Sequence, residues 1–121
     1  MYRYFLNNPC GKNVGDCVIR AISKVMDISW YKAFKELCNL GMMLCDLPNS
    51  NYVWSNYLRR NGFVRHTIDN CTVREFSDEY PYGTYVLSTG SHLAACIDGT
   101  YFDAWDSGQE IIESYWRKEI Q

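Results

Sequence analysis

The dipeptide Asp98-Gly99 constrains this chain more than any other feature, because it stands between two runs of strand-forming residues, His92 to Ile97 and Thr100 to Trp105. A two-residue loop of this kind needs positive φ at both positions, which Asp and Gly tolerate, and its twist matches that of the strands it joins. The turn sets a register. Ile97 pairs with Thr100, and continuing the ladder puts His92 opposite Trp105. Asp103 is then a same-face diagonal neighbour of His92, within side-chain reach. Asp106 follows at the strand end, nominally on the other face unless a bulge turns it inward.

Upstream of the hairpin the pattern is mostly helical. After an extended piece, Tyr2 to Leu6, the loop formers Asn7, Asn8, Pro9, Gly11, Asn13 and Gly15 follow. Val18, Ile22 and Val25 then repeat at helical spacing, with Ile19 and Met26 widening the stripe, so a buried helix starts at or beside Cys17 with Asp16 as N-cap. Ser29 caps a second helix carrying Trp30, Ala33, Phe34 and Leu37, with Gly41 as terminator and Met42 to Pro48 as loop. Asn49 or Ser50 caps a third, carrying Val53, Trp54, Tyr57 and Leu58 and ending at Asn61-Gly62. Phe63 to Ile68 alternates as a strand, Thr72 and Glu75 form a capping box for a short helix ending before Pro81, and Thr84 to Ser88 is a further strand. Helices first and an antiparallel sheet after predict an α+β fold, as one domain over residues 1–121. Ile111, Ile112, Tyr115 and Trp116 add a strand, pack back on the sheet or form a dimer edge; sequence leaves this and the oligomeric state open.

With 47% hydrophobic and 16% aromatic residues the chain can build a core. A net charge of -2 gives no electrostatic reason to expect nucleic acid. No apolar run is long enough to span a bilayer and the first residues are unlike a signal peptide, so no membrane association is expected and the simplest address is cytoplasmic. The six cysteines, at 10, 17, 38, 45, 71 and 96, then fall in a reducing compartment. No pair has C-x-x-C spacing and both histidines stand away from any cysteine cluster, so neither metal nor cofactor is expected. Most of these thiols read as ordinary small core residues.

Cys17 differs in its context, Gly15-Asp16-Cys17-Val18-Ile19-Arg20-Ala21. A thiol attacks carbonyls only as thiolate, and a helix N-terminus or a neighbouring imidazole lowers its pKa from ~8.5. The bland reading is a half-buried helix residue without chemistry. His92 opens a strand after Thr89-Gly90-Ser91 and precedes small apolar residues, as a cleft wall with room for substrate would. A lone strand histidine is more often structural, and His66, whose strand shows no partner acid or glycine context, is read that way.

Cysteine on an early helix, histidine on a strand and aspartate after the next turn together resemble the papain-like cysteine peptidase superfamily, above all its small bacterial and phage members. The matching pieces are the Gly15–Ala21 run, Gly90-Ser91-His92-Leu93-Ala94-Ala95-Cys96-Ile97-Asp98-Gly99 and Tyr101-Phe102-Asp103-Ala104-Trp105-Asp106-Ser107. The likeness spans about Asn8 to Ser107. It implies a papain-like fold, Cys17 as nucleophile, His92 as general base and Asp106, followed by Ser107, as orienter of the imidazole, with Asp103 as the alternative. The family's oxyanion Gln has no counterpart here; Asn13 is the nearest upstream amide and the candidate for that role. The implied activity is hydrolysis of a peptide or isopeptide bond in a peptide or protein substrate. Deamidation, acyl transfer or modifier removal on the same residues is the alternative, as is an inactive protein-interaction domain presenting Tyr80, Tyr82, Tyr115 and Trp116.

Overall fold

The computed structural model describes residues 1–119 and shows an α+β arrangement of four helices and one mixed six-stranded sheet. In chain order the elements are β1 (Tyr2–Tyr4), α1 (Cys17–Met26), α2 (Trp30–Leu44), α3 (Asn51–Arg60), β2 (Phe63–Thr67), α4 (Val73–Glu79), β3 (Thr84–Ser88), β4 (Leu93–Ile97), β5 (Thr100–Asp103) and β6 (Ser114–Lys118). Helices and strands are less segregated than expected, since β1 precedes every helix and β2 precedes α4. The strand order is β1-β5-β4-β3-β6-β2. All pairings are antiparallel except β1 with β5, so the sheet is mixed and not purely antiparallel. The terminal aromatic run becomes β6, an interior strand between β3 and β2.

Alternation along the strands divides the core in two. Val86, Leu93, Ala95 and Trp116 point to one face, where Ile22, Val25, Leu37, Val53 and Leu58 from α1, α2 and α3 cover them. Tyr85, Leu87, Cys96 and Tyr101 point to the other, against Val73 and Phe76 of α4. Each fully buried Ile, Leu or Val here contributes roughly 1.5–3 kcal/mol relative to exposure. α1 packs directly on β4, and α2 packs on the outside of α1.

Local signals set most of the boundaries. Ser29 and Ser50 accept hydrogen bonds from Lys32 N and Val53 N, and Thr72 with Glu75 closes a complete capping box. Asp98 and Gly99 take φ of 48° and 79°, as the hairpin turn requires. Two expectations need correction. α2 does not stop at Gly41 but runs to Leu44 through good helix formers and ends on Cys45 at φ 58°. Gly41 serves close packing instead, since a Cβ there would lie 2.7 Å from the Asp46 carbonyl oxygen. Asp16 stands at the N-cap position of α1 but makes no side-chain cap hydrogen bond, because its carboxylate is engaged elsewhere.

The β4–β5 ladder ends at the pair Ala95–Phe102, short of the extended register that sequence suggests. Beyond it Asp103 pairs with Tyr4 of β1, so the two strands part. The start of α1 faces this opening.

Candidate active site

Cys17 is the first residue of α1 and half-buried, and His92 immediately precedes β4. Folding brings them to the wall of one cleft, where the imidazole and the Leu93 backbone N–H lie close enough to the sulfur to favour its thiolate. The other side of the ring meets a carboxylate. His92 Nε2–H donates to Asp103 Oδ2 at 2.6 Å. With Nε2 engaged, Nδ1 is the ring nitrogen left for the sulfur. Trp105 stands beside the ring, centroids 5.3 Å apart and tilted by 43°.

The aspartate on the imidazole is therefore Asp103. Asp106 lies past the end of β5, where it accepts hydrogen bonds from Tyr101 Oη at 2.5 Å and Arg74 at 3.1 Å. Its carboxylate is 45% exposed and acts as a turn anchor, away from His92. The carboxylate against the imidazole is thus Asp103, the alternative, and not Asp106, which the resemblance put first.

Asp103 is fully buried and richly partnered. Besides His92, it accepts from Ser107 Oγ at 2.6 Å, the Ala104 N–H at 2.9 Å and Arg20 at 2.9 Å. Arg20 in turn donates to Asp16 Oδ1 at 2.5 Å, and Trp30 Nε1 donates to Asp16 Oδ2 at 2.8 Å. A continuous line of polar contacts runs Trp30, Asp16, Arg20, Asp103, His92, Cys17. Among the described residues Asp16, Arg20 and Asp103 are the buried charges. The sequence reading missed this network. The available signal was an Asp–Arg pair at i, i+4 set inside the apolar stripe of α1, where a charge without a partner would be costly.

The electrostatics follow from this geometry. Burial by itself would raise the Cys17 thiol, but the hydrogen bonds from His92 and Leu93 and the charges of His92 and Arg20 bring it below the ordinary thiol value. Burial likewise opposes the imidazolium, yet hydrogen bonds to Asp103 and Cys17 and both their charges push His92 up to about 9. For Asp103, burial is outweighed by hydrogen bonds from His92 and Ser107, the charge of His92 and the Ala104 N–H, so its carboxyl is lowered. Each shift favours a thiolate–imidazolium pair backed by an ionised aspartate. Elsewhere the thiols of Cys71 and Cys96 are raised by burial, Cys96 to about 12.

The pair opens into a cleft of about 410 Å³, whose walls include Asn13, Gly15, Asn51, Trp54, Ser91 and Trp105. Asn13 is exposed at the cleft and, among the described residues, finds no hydrogen-bond partner that would aim its amide. Nothing lies within 4 Å of a Cβ built on Gly15, so the approach past the helix end is open. His66 is remote from the cleft and pairs with Glu119. Among the described residues there is no cluster of three potential metal ligands and no helix long and apolar enough to cross a membrane. The chain matches no protein-family model, no curated protein and no solved structure.

Proposed function

We propose that this chain is a papain-like cysteine hydrolase that cleaves a peptide or isopeptide bond in a peptide or protein substrate, using Cys17 as nucleophile, His92 as acid–base and Asp103 as its orienter. The observation that carries the reading is the imidazole of His92 set between the Cys17 thiol and the Asp103 carboxylate, 2.6 Å from the carboxylate, at the wall of a cleft. A thiol kept only for packing has no need of an imidazole, an N–H donor and a buried carboxylate arranged behind it.

The chemistry follows stepwise. Cys17 gives its proton to His92, and the thiolate attacks the substrate carbonyl carbon as the C–O π electrons move onto oxygen. Backbone N–H groups of the first turn of α1, with the Asn13 amide as the side-chain candidate, donate to that oxyanion. Collapse breaks the C–N bond, and His92 returns its proton to the leaving nitrogen. Water, deprotonated by His92, then attacks the thioester, releasing the acid and restoring the thiol. Asp103 stays ionised throughout and stabilises the imidazolium.

The test compares wild type with Cys17→Ala on a peptide library and a proteome digest, with products read by mass. Wild type should generate new termini and the variant none; the same products from both would remove the hydrolase reading.

A further inference from the structure

We propose that Arg20 is a positioning residue for the Cys17–His92 pair, holding the two carboxylates that flank it, Asp16 and Asp103, in the orientations the chemistry requires. This rests on the catalytic reading above. Arg20 is 4% exposed and spends one guanidinium nitrogen on each acid, at 2.5 Å to Asp16 and 2.9 Å to Asp103. A planar fork can do this; a lysine ammonium on a flexible stem is a single point charge.

Asp16 makes the argument specific. It precedes the nucleophile and sits at the N-cap position, where an aspartate ordinarily turns its carboxylate onto the N–H groups of the first turn. Here that bond is absent, because Arg20 and Trp30 hold both carboxylate oxygens. The helix end therefore keeps its donors free on the side of the cleft, and no unscreened negative charge lies against the sulfur. On the other acid, Arg20 takes Oδ1 of Asp103 and leaves Oδ2 to His92 and Ser107. The charged and titratable groups around Cys17 are His92 at the start of β4, Asp103 from β5, and Asp16 and Arg20 at α1; α2 contributes Trp30, α3 Trp54 and β3 Ser88, none of them ionised.

The experiment measures iodoacetamide alkylation of Cys17 against pH, read at the Cys17 peptide by mass, together with a thermal melt. Wild type, Arg20→Met, Arg20→Lys, Asp16→Asn and the double variant Arg20→Met/Asp16→Asn are compared. With Arg20 removed, Asp16 falls back onto the helix end, and the midpoint of the alkylation profile should rise by about one pH unit or more. Arg20→Lys should rise less. Adding Asp16→Asn should return the midpoint toward wild type, and Asp16→Asn alone should leave it at or below wild type. A purely structural arginine would lower the melt and leave every midpoint in place, which overturns the proposal. A shift in Arg20→Met that Asp16→Asn does not reverse, or a rise in Asp16→Asn alone, overturns the Asp16 mechanism. If Arg20→Met does not fold, Arg20→Lys and Asp16→Asn decide by the same criteria. A wild-type midpoint at the ordinary thiol value would instead sink the catalytic reading, so the two failures are told apart by which protein shows them.

Discussion

Two histidines of this chain meet a carboxylate oxygen at the same distance, 2.6 Å: His92 on Asp103 in the cleft, and His66 on Glu119 at the β2 edge of the sheet. Distance does not separate them; surroundings do. The His66 and Glu119 side chains are 37% and 36% exposed, and the ring stacks on Tyr115 with no third polar partner among the described residues. Such an exposed pair contributes between nothing and about 1 kcal/mol. His92 and Asp103 are 13% and 0% exposed, the carboxylate is held by Ser107, Arg20 and the Ala104 N–H, and the far side of the ring meets a thiol. What makes an imidazole a catalytic candidate here is a tethered acid on one nitrogen and a nucleophile on the other.

The sharpest way to break this contrast is to delete each ring. His92→Ala should lower peptide hydrolysis by roughly 10²–10⁴-fold, while His66→Ala should leave it within about twofold of wild type. Equal losses would mean that the two regions differ in appearance only. Next come the acids. Asp103→Asn should reduce kcat by about 10²–10⁴-fold by upsetting the ring's tautomer and the support of its cation. Asp106→Asn and Glu119→Gln should each change kcat less than about twofold in the same assay. A large loss for Asp106→Asn would restore the assignment suggested by family resemblance.

A smaller effect lies in the pH profile of hydrolysis. Activity should rise below the ordinary thiol range, as Cys17 ionises, and fall through about 9, as His92 loses the proton that the leaving amine must receive. A rate still climbing through that value would show that the imidazolium is not the acid. The least conspicuous consequence is in stability. Between about pH 7 and 8.5 the unfolded chain carries one proton on its thiol and none on the imidazole, while the folded pair carries one on the imidazole. Folding moves a proton without taking one up, so wild-type stability should be level across this window. In Cys17→Ala only the raised histidine remains. Its contribution is full below the unfolded value near ~6.5 and is lost as pH rises through the folded value, so urea-unfolding stability should decline with pH. Parallel slopes for the two proteins would argue against the ion pair.

Much of the architecture was legible because it is written locally. Ser29, Ser50 and Thr72 mark helix starts by their own hydroxyls, and Asp98-Gly99 dictates a turn through backbone angles alone. The parallel pairing of β1 with β5 left no local trace, since its partners are joined only by the finished sheet. Gly41 misled because glycine ends helices and also lets segments approach closely, and only the neighbouring Asp46 carbonyl distinguishes the two. In the site, Cys17 and His92 were legible from helix and strand context. Between the two candidate acids, the two-residue period favoured Asp103, while the motif ending Asp106-Ser107 favoured the other. Ser107 in fact donates to Asp103, so the serine of that motif serves the earlier aspartate. The Asp16–Arg20 pair left a local signal, but the second carboxylate of Arg20 could not be read because it lies 83 residues away.

The hairpin has a consequence for how the three side chains come together. His92 and Asp103 are only 11 residues apart and joined by a tight turn, so they can meet on the microsecond scale of hairpin closure. The sulfur arrives from the distant start of α1 and is enlisted only when that helix docks on β4. A chain in which that helix has not docked then holds the imidazole–carboxylate contact with a thiol of ordinary reactivity, so the long-range contact of α1 with β4 is what joins the sulfur to it.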